Sequence, residues 1–406
     1  MAGNHMNHIL KCHEIVKADI VRGHNCYLYD TNDMKYVDFE SGVWCTILGH
    51  NHSRINETIK KQIDQVMHLH YRYTNHLAED ASVDLLESVG FTDGKCIFLS
   101  SGSEAVEFGV QIAKVITGKK LFLTLSESYL AAYGSAGRRD IKEWVHINLN
   151  SCLTCKDKSE CDRSCDKIKD IQFDEIGAFV FEPGCASGNV KFPPEKLVDF
   201  IVKEVKRNNG VIIVDEVTTG FGRTGKWYGF NHYALQPDIV AVGKGLGNGY
   251  PVSAVAMKHD VAHELEKRNF HYVQSHQNDP LGCAVAKEVI SIIKEQKLVD
   301  RSFTLGDTFL SQLHQIEKHY KFVKEIRGRG LMISMEFAKV HDNFTTAFIY
   351  QEMLKKGFLI GYNPSSRTIR FLPPLTIEKK EITNLVEALD QVLGNINKDW
   401  IKHNST

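Results

Sequence analysis

Gly210-Val211-Ile212-Ile213-Val214-Asp215-Glu216 and, further on, Ile239-Val240-Ala241-Val242-Gly243-Lys244-Gly245 decide how this chain folds. Each is a short, largely β-branched run bounded by Gly or charged residues, the signature of a strand buried on both faces in a parallel sheet. In open α/β sheets, ligands collect at the carboxyl ends of such strands, which is where Asp215 and Lys244 stand. A carboxylate there can hold a pyridine nitrogen protonated, and a lysine there can form a Schiff base with an aldehyde. The same residues also fit a Walker-B-like metal site at Asp215-Glu216 and a solvated lysine in a Gly-rich turn.

A third segment adds a phosphate site. Ser100-Ser101-Gly102-Ser103-Glu104 follows the apolar run Cys96-Ile97-Phe98-Leu99 and opens a stretch with apolar residues at Ala105, Phe108, Ile112, Ala113 and Ile116. That spacing predicts a helix, whose free N–H groups and positive dipole end suit an anion. An ordinary Ser N-cap with a nearby Glu explains the same residues without a ligand. Taken together, Ser101, Gly102 and Ser103 with Asp215 and Lys244 describe the phosphate, ring nitrogen and aldehyde contacts of pyridoxal 5'-phosphate (PLP).

Asp215-Glu216-Val217-Thr218-Thr219-Gly220-Phe221-Gly222-Arg223-Thr224-Gly225, followed by Gly243-Lys244-Gly245-Leu246-Gly247-Asn248-Gly249-Tyr250-Pro251, resembles the class III aminotransferases. Further pieces agree along almost the whole chain. They are Tyr36-Val37-Asp38-Phe39, Leu48-Gly49-His50-Asn51-His52, Glu182-Pro183, Asn278-Asp279-Pro280-Leu281, Glu325-Ile326-Arg327-Gly328-Arg329-Gly330-Leu331 and Ile369-Arg370-Phe371-Leu372-Pro373-Pro374-Leu375. The resemblance implies an α/β, fold-type I PLP transferase, with a large domain built on a mostly parallel sheet covered by helices and a small discontinuous α+β domain. It implies a division into 1–49, 50–299 and 300–406, the outer parts forming the small domain, and a homodimer with active sites at the interface.

At 406 residues and 46.0 kDa the chain exceeds one small core. A hydrophobic share of 43% and a charged share of 24% describe an ordinary globular protein. Formal net charge is −1 with no long basic run, which argues against nucleic acid or an anionic membrane as partner. No apolar stretch approaches the ~20 residues of a membrane helix and no leader opens the chain, so a cytoplasmic location is expected. Met6, after a short polar stretch, is the expected native start. Between about 50 and 290 apolar runs alternate with amphipathic segments, for example Leu121-Phe122-Leu123-Thr124-Leu125, Ala178-Phe179-Val180-Phe181 and 196–206, the order of a parallel sheet covered on both faces. After Leu298, a helix around 305–319 and strands at 330–335 and 368–371 are expected.

The resemblance assigns roles residue by residue. Lys244 carries the cofactor and moves the substrate Cα proton, and Asp215 holds the ring nitrogen protonated. Val217 packs beneath the ring, as side-chain alternation along a continuing strand would place it; Tyr129 stacks on the ring. Thr218 stands where many members have a Gln beside the phenolic oxygen, and Ser275 aligns with a Thr that reaches the phosphate from the partner subunit. Arg370 is the candidate for the substrate carboxylate, since a guanidinium offers a rigid two-pronged donor set. In the family, a glutamate at the position of Glu182 can pair with this arginine. A buried core aromatic at Tyr129, a surface arginine at 370 and a strand-end acid at 182 remain the plainer readings.

Departures from the family bear on the substrate. Members acting on γ-aminobutyrate or ornithine usually carry His-Gly-Arg after the stacking aromatic, whereas Tyr129 is followed by Leu130-Ala131-Ala132. Trp44 and Cys45 fall where the family lines the pocket entrance. An aromatic wall without a second cation points to an amino donor with an apolar or neutral side chain and an α-keto acid acceptor. Separately, Cys152, Cys155, Cys161 and Cys165 form C-x2-C-x5-C-x3-C, a spacing able to hold a structural Zn, with an iron–sulfur cluster or plain surface thiols as alternatives. Three functions stay open: a PLP-dependent aminotransferase, an epimerase or aminomutase on the same scaffold, and a non-catalytic cofactor-binding or metal-sensing protein.

Overall fold

The computed structural model describes residues 8–10, 12, 13, 16 and 18–404, apart from 156–160, 186–188, 339–344 and 364–365. The expected start at Met6 lies outside these residues. Three antiparallel strands come first: β1 (Ile20–His24), β2 (Tyr27–Asp30) and β3 (Lys35–Asp38). The central sheet uses β4 (Lys95–Leu99), β5 (Leu121–Leu125), β6 (Trp144–Ile147), β7 (Ile176–Phe181), β8 (Val211–Asp215), β9 (Ile239–Val242) and β10 (Ser253–Met257). Their spatial order is β4-β10-β9-β8-β7-β5-β6. β9, β8, β7, β5 and β6 run parallel, and β10 runs antiparallel to both its neighbours.

The apolar runs 211–214 and 239–242 sit in the middle of this sheet, and every residue of β7, β8 and β9 is buried. Alternation along each strand divides its side chains between two cores. Ile212, Val214, Val240 and Val242 face one, with Leu197, Ile201 and Val205 of the helix Glu195–Arg207. Val211, Ile213, Ile239 and Ala241 face the other, with Ala105, Phe108 and Ile112 of the helix Gly102–Thr117. Each fully buried Val or Ile contributes about 1.5–3 kcal/mol, so a charge on either face of β8 before Asp215 would break the sheet rather than tune it.

The remaining strands are β11 (Val323–Arg329), β12 (Met332–Phe337), β13 (Phe358–Leu359), β14 (Gly361–Tyr362) and β15 (Thr368–Phe371). β11-β12-β15-β14 form a third sheet, while β13 pairs in parallel with β3 and ties the two ends of the chain together. The expected strand at 330–335 begins later, at Met332, because Gly330 and Leu331 form the turn between β11 and β12. The helix expected around 305–319 extends over Leu298–His319. Among the described residues, no helix is long and apolar enough to cross a membrane.

Candidate active site

β8 and β9 end side by side, with Asp215 in register with Ala241 and the Glu216 N–H donating to the Ala241 carbonyl at 2.8 Å. The chain leaves β9 through Gly243 and turns at Lys244, whose φ of +41° is a left-handed conformation that a side chain disfavours. That turn places Lys244 Nζ 3.4 Å from Thr218 Oγ1. Lys244, Asp215, Val217, Thr218, Ser101, Gly102, Ser103, Tyr129 and Leu130 line one cavity of about 220 Å³.

Asp215 is 3% exposed, and among the described residues its backbone donor is the Val217 N–H, 3.0 Å from Oδ1. Burial pushes its carboxyl up to about 7, against the opposing pull of that N–H and of the Lys244 charge. The strand stops at Asp215, so Val217 does not reach the cavity by strand alternation; the turn closed by this side-chain-to-backbone bond brings it there. Glu216 is a different acid. Fully buried, it accepts from Thr219 Oγ1 at 2.7 Å, Gly229 N at 2.8 Å and Phe230 N at 2.7 Å, and so fixes the loop after β8. Burial also raises it to about 7.

The helix Gly102–Thr117 aims its N-terminus at the cavity. Ser101 caps it by accepting from Glu104 N at 3.3 Å, and the Ser103 hydroxyl accepts from Ala132 N at 2.9 Å, which leaves its own O–H to donate. Gly102 lies so close to Val217 that a Cβ there would sit 2.6 Å from Val217 Cγ1. Tyr129 is half-exposed, and its N–H donates to Glu182 Oε2 at 3.0 Å. Beside it, Arg139 Nη1 donates to the Ser128 carbonyl at 2.6 Å. Ser275 is exposed and does not line its own chain's cavity. Its neighbour Gln274 bonds Ser100 Oγ at 3.1 Å and Glu104 Oε1 at 3.0 Å, which ties this segment to the same helix start.

On the other side of Lys244 stands Trp44, whose ring centroid lies 5.1 Å from Lys244 Nζ and 5.0 Å from the Arg370 guanidinium carbon. The backbone that presents it is unusual: Ser41, Gly42, Val43 and Trp44 have φ of 50°, 57°, 59° and 70°. Each L-residue in such a left-handed turn costs about 1–2 kcal/mol. Asp38 offsets part of this by accepting from the N–H groups of Glu40, Ser41 and Gly42 at 2.8, 3.0 and 3.0 Å, and His50 Nε2 lies 2.8 Å from its second oxygen. The turn also places Glu40 against Arg370, with Arg370 Nε donating to Glu40 Oε1 at 3.1 Å. The structure therefore pairs Arg370 with Glu40, and Glu182 accepts from the backbone of Tyr129 instead. Sequence reading missed Glu40 and gave Asp38 only within Tyr36-Val37-Asp38-Phe39, without a role.

The zinc expectation is corrected. Cys152, Cys155, Cys161 and Cys165 line a separate cavity of about 650 Å³, but among the described residues their sulfurs do not converge to metal-ligand spacing. Cys152 belongs to the helix Leu149–Leu153, while Cys165 is held in its own turn by Cys165 N to Asp162 O at 3.2 Å. Burial pushes the Cys152 thiol up to about 11.

PLP, by contrast, fits the donor set. A buried carboxylate with spare acceptor capacity, a lysine, a helix N-terminus with two hydroxyls and a side-chain-free floor at Gly102 surround one cavity. Trp44 Nε1 is buried without an acceptor among the described residues.

Comparison with known proteins agrees. Residues 11–393 match the family model described as "Aminotransferase class-III". An acetylornithine aminotransferase of Methanocaldococcus jannaschii is 30% identical over 392 residues, covering 93% of this chain and 94% of that protein. A leucine/methionine racemase of Thermococcus litoralis is 26% identical over 408 residues, covering 93% and 90%. An amine transaminase from an uncultivated Pseudomonas species, in its PLP-bound form, superposes with a TM-score of 0.86 at 23% identity, covering 96% of this chain and 98% of that one.

Proposed function

Given that this chain belongs to the class-III aminotransferases, enzymes that use PLP, we propose that it moves an amino group from an amino acid or amine with an apolar or neutral side chain to an α-keto acid. The observation that carries this reading is the convergence of Lys244, Asp215 and the start of the helix Gly102–Thr117 on one small cavity. PLP, when bound, supplies the electron sink that stabilises negative charge developing at the substrate Cα. Lys244 Nζ takes the Cα proton and returns it. Asp215 keeps a proton on the ring nitrogen by accepting it as a charge-assisted hydrogen bond. Ser101, Gly102 and Ser103 hold the phosphate by N–H and O–H donation. Val217 and Tyr129, which line the same cavity, would hold the ring between them, and Thr218 Oγ1 shares the Lys244 side of the site. Arg370 binds the substrate carboxylate and Trp44 packs against the substrate.

The donor class follows from charge. Arg139 is engaged by the Ser128 carbonyl, and Ala132 offers no cation, so a distal carboxylate would be desolvated without a partner. The division at 49 and 299, the homodimer with Ser275 reaching the partner's phosphate site, and the cytosolic location belong to the same proposal. The β3–β13 pairing supports the first, and the lack of a disulfide among the described residues fits the last. A screen of amino donors against keto-acid acceptors tests the reading: new keto acid with a newly aminated acceptor supports transfer. The racemase relative motivates a second reading, which loss of optical rotation without keto acid would favour.

A further inference from the structure

The Arg370 guanidinium has three nitrogens, and the structure uses one. Nε donates to Glu40 Oε1 at 3.1 Å, while Nη1 and Nη2 have no hydrogen-bond partner among the described residues. The guanidinium carbon lies 5.0 Å from the Trp44 ring centroid, and Lys244 Nζ lies 5.1 Å from the same centroid. Placed end to end these distances put the arginine no more than about 10 Å from the reacting amine, a span suited to a small substrate.

Glu40 has little freedom to leave. Its N–H bonds Asp38 and its carbonyl accepts from Trp44 N at 2.7 Å. Next to it, Ser41 Oγ donates to the Leu372 carbonyl at 2.7 Å, and Leu372 N donates to Phe39 O at 2.7 Å, so both sides of the pair share one backbone frame. Gly361 on β14 closes the remaining side. A Cβ there would lie 2.0 Å from Glu40 Oε1 and 2.5 Å from Arg370 Cγ. Glu182, the acid that the family resemblance would pair with Arg370, is bound to the Tyr129 N–H.

We propose that Glu40 is a positioning residue that determines specificity: it stays bound to Arg370 Nε through turnover and leaves Nη1 and Nη2 to take the substrate carboxylate. The subsite then carries no net charge before substrate enters, so an uncharged alkyl or aryl group can occupy it with no side chain swinging away, and a carboxylate still finds two donors. This rests on the site reading given above. It sets the substrate class as one that includes both α-amino acids and amines lacking a carboxylate. It also implies that Glu40 weakens carboxylate binding relative to a bare arginine.

Glu40→Gln tests this, since the amide oxygen can keep the Nε bond while the charge is lost. The expected result is that KM for an α-amino acid falls about tenfold and KM for an alkylamine rises by a similar factor, with kcat for each changed far less, as one uncompensated charge at this range gives. A second readout needs no turnover: butyrate binding to the purified protein, by calorimetry, should tighten about tenfold in Glu40→Gln and disappear in Arg370→Ala. If the wild-type chain transfers no amino group, the aminotransfer reading fails, and the butyrate arm still decides the role of Glu40. A parallel loss for both donor types, or butyrate affinity unchanged or weaker in Glu40→Gln, overturns the proposal.

Discussion

Replacing Asp215 by Asn separates what this residue does for stability from what it does for chemistry, because the two effects have opposite signs. In the cofactor-free protein the Asp215 carboxyl is raised from 3.8 to about 7, chiefly by burial. The folded state therefore holds a proton between these values that the unfolded chain has released. Stability from this group is fully present below pH 3.8 and is lost as pH rises through 7. The largest loss, at pH 8, is about 4 kcal/mol. Asp215→Asn keeps the shape and has no proton to lose, so the cofactor-free variant should be more stable than wild type at pH 8, by about 2–4 kcal/mol or about 2–5 °C in Tm. Near pH 4 the two should melt together. Glu216, raised to about 7 as well, keeps part of the pH slope in both proteins. With PLP bound the order reverses. A neutral amide cannot replace the charge-assisted bond to the ring nitrogen, and its loss costs about 1.5–3 kcal/mol, one to two decades in turnover. Scanning calorimetry of cofactor-free protein from pH 4 to 8 and steady-state assays of the loaded enzyme measure both halves. A variant that melts lower than wild type at pH 8, or that turns over at the wild-type rate, would refute the argument.

Three further outcomes follow from contacts in the site. Gly102→Ala puts a Cβ against Val217 and should push the helix start away from the cavity, lowering PLP affinity about tenfold in an absorbance titration, a typical overpacking cost near 1.4 kcal/mol. Gly361→Ala should displace the Glu40–Arg370 pair and cost about 1–3 kcal/mol of stability, read as a lower denaturant midpoint with unchanged slope. Norvaline should exceed glutamate in kcat/KM as donor, and an ω-amine should exceed γ-aminobutyrate. If the acidic member wins both comparisons, a cation must serve its distal carboxylate, and release of Arg139 from Ser128 would be the first thing to examine.

What the sequence made legible was local. β-Branched runs marked β8 and β9, and the residues closing them meet in one cavity because parallel neighbours bring their carboxyl ends together. The apolar spacing from Ala105 to Ile116 marked a helix, and the Ser/Gly turn before it marked its cap. Pairing across 330 residues, as between Glu40 and Arg370, leaves no periodic trace, so the family wording suggested Glu182 instead. The left-handed turn at Ser41–Trp44 was hidden for a related reason. Only one of its four residues is Gly, and what stabilises it is the fan of hydrogen bonds to Asp38. Val217 lines the cavity by way of a turn rather than by strand alternation. Cysteine spacing misled because neighbours in sequence were held apart by their own turns.

Borohydride reduction of the holoenzyme followed by peptide mapping reads directly which lysine carries the cofactor. A single pyridoxyl group on the peptide containing Lys244 is the predicted result. A label on another lysine, or none on a protein that shows bound PLP, would contradict it.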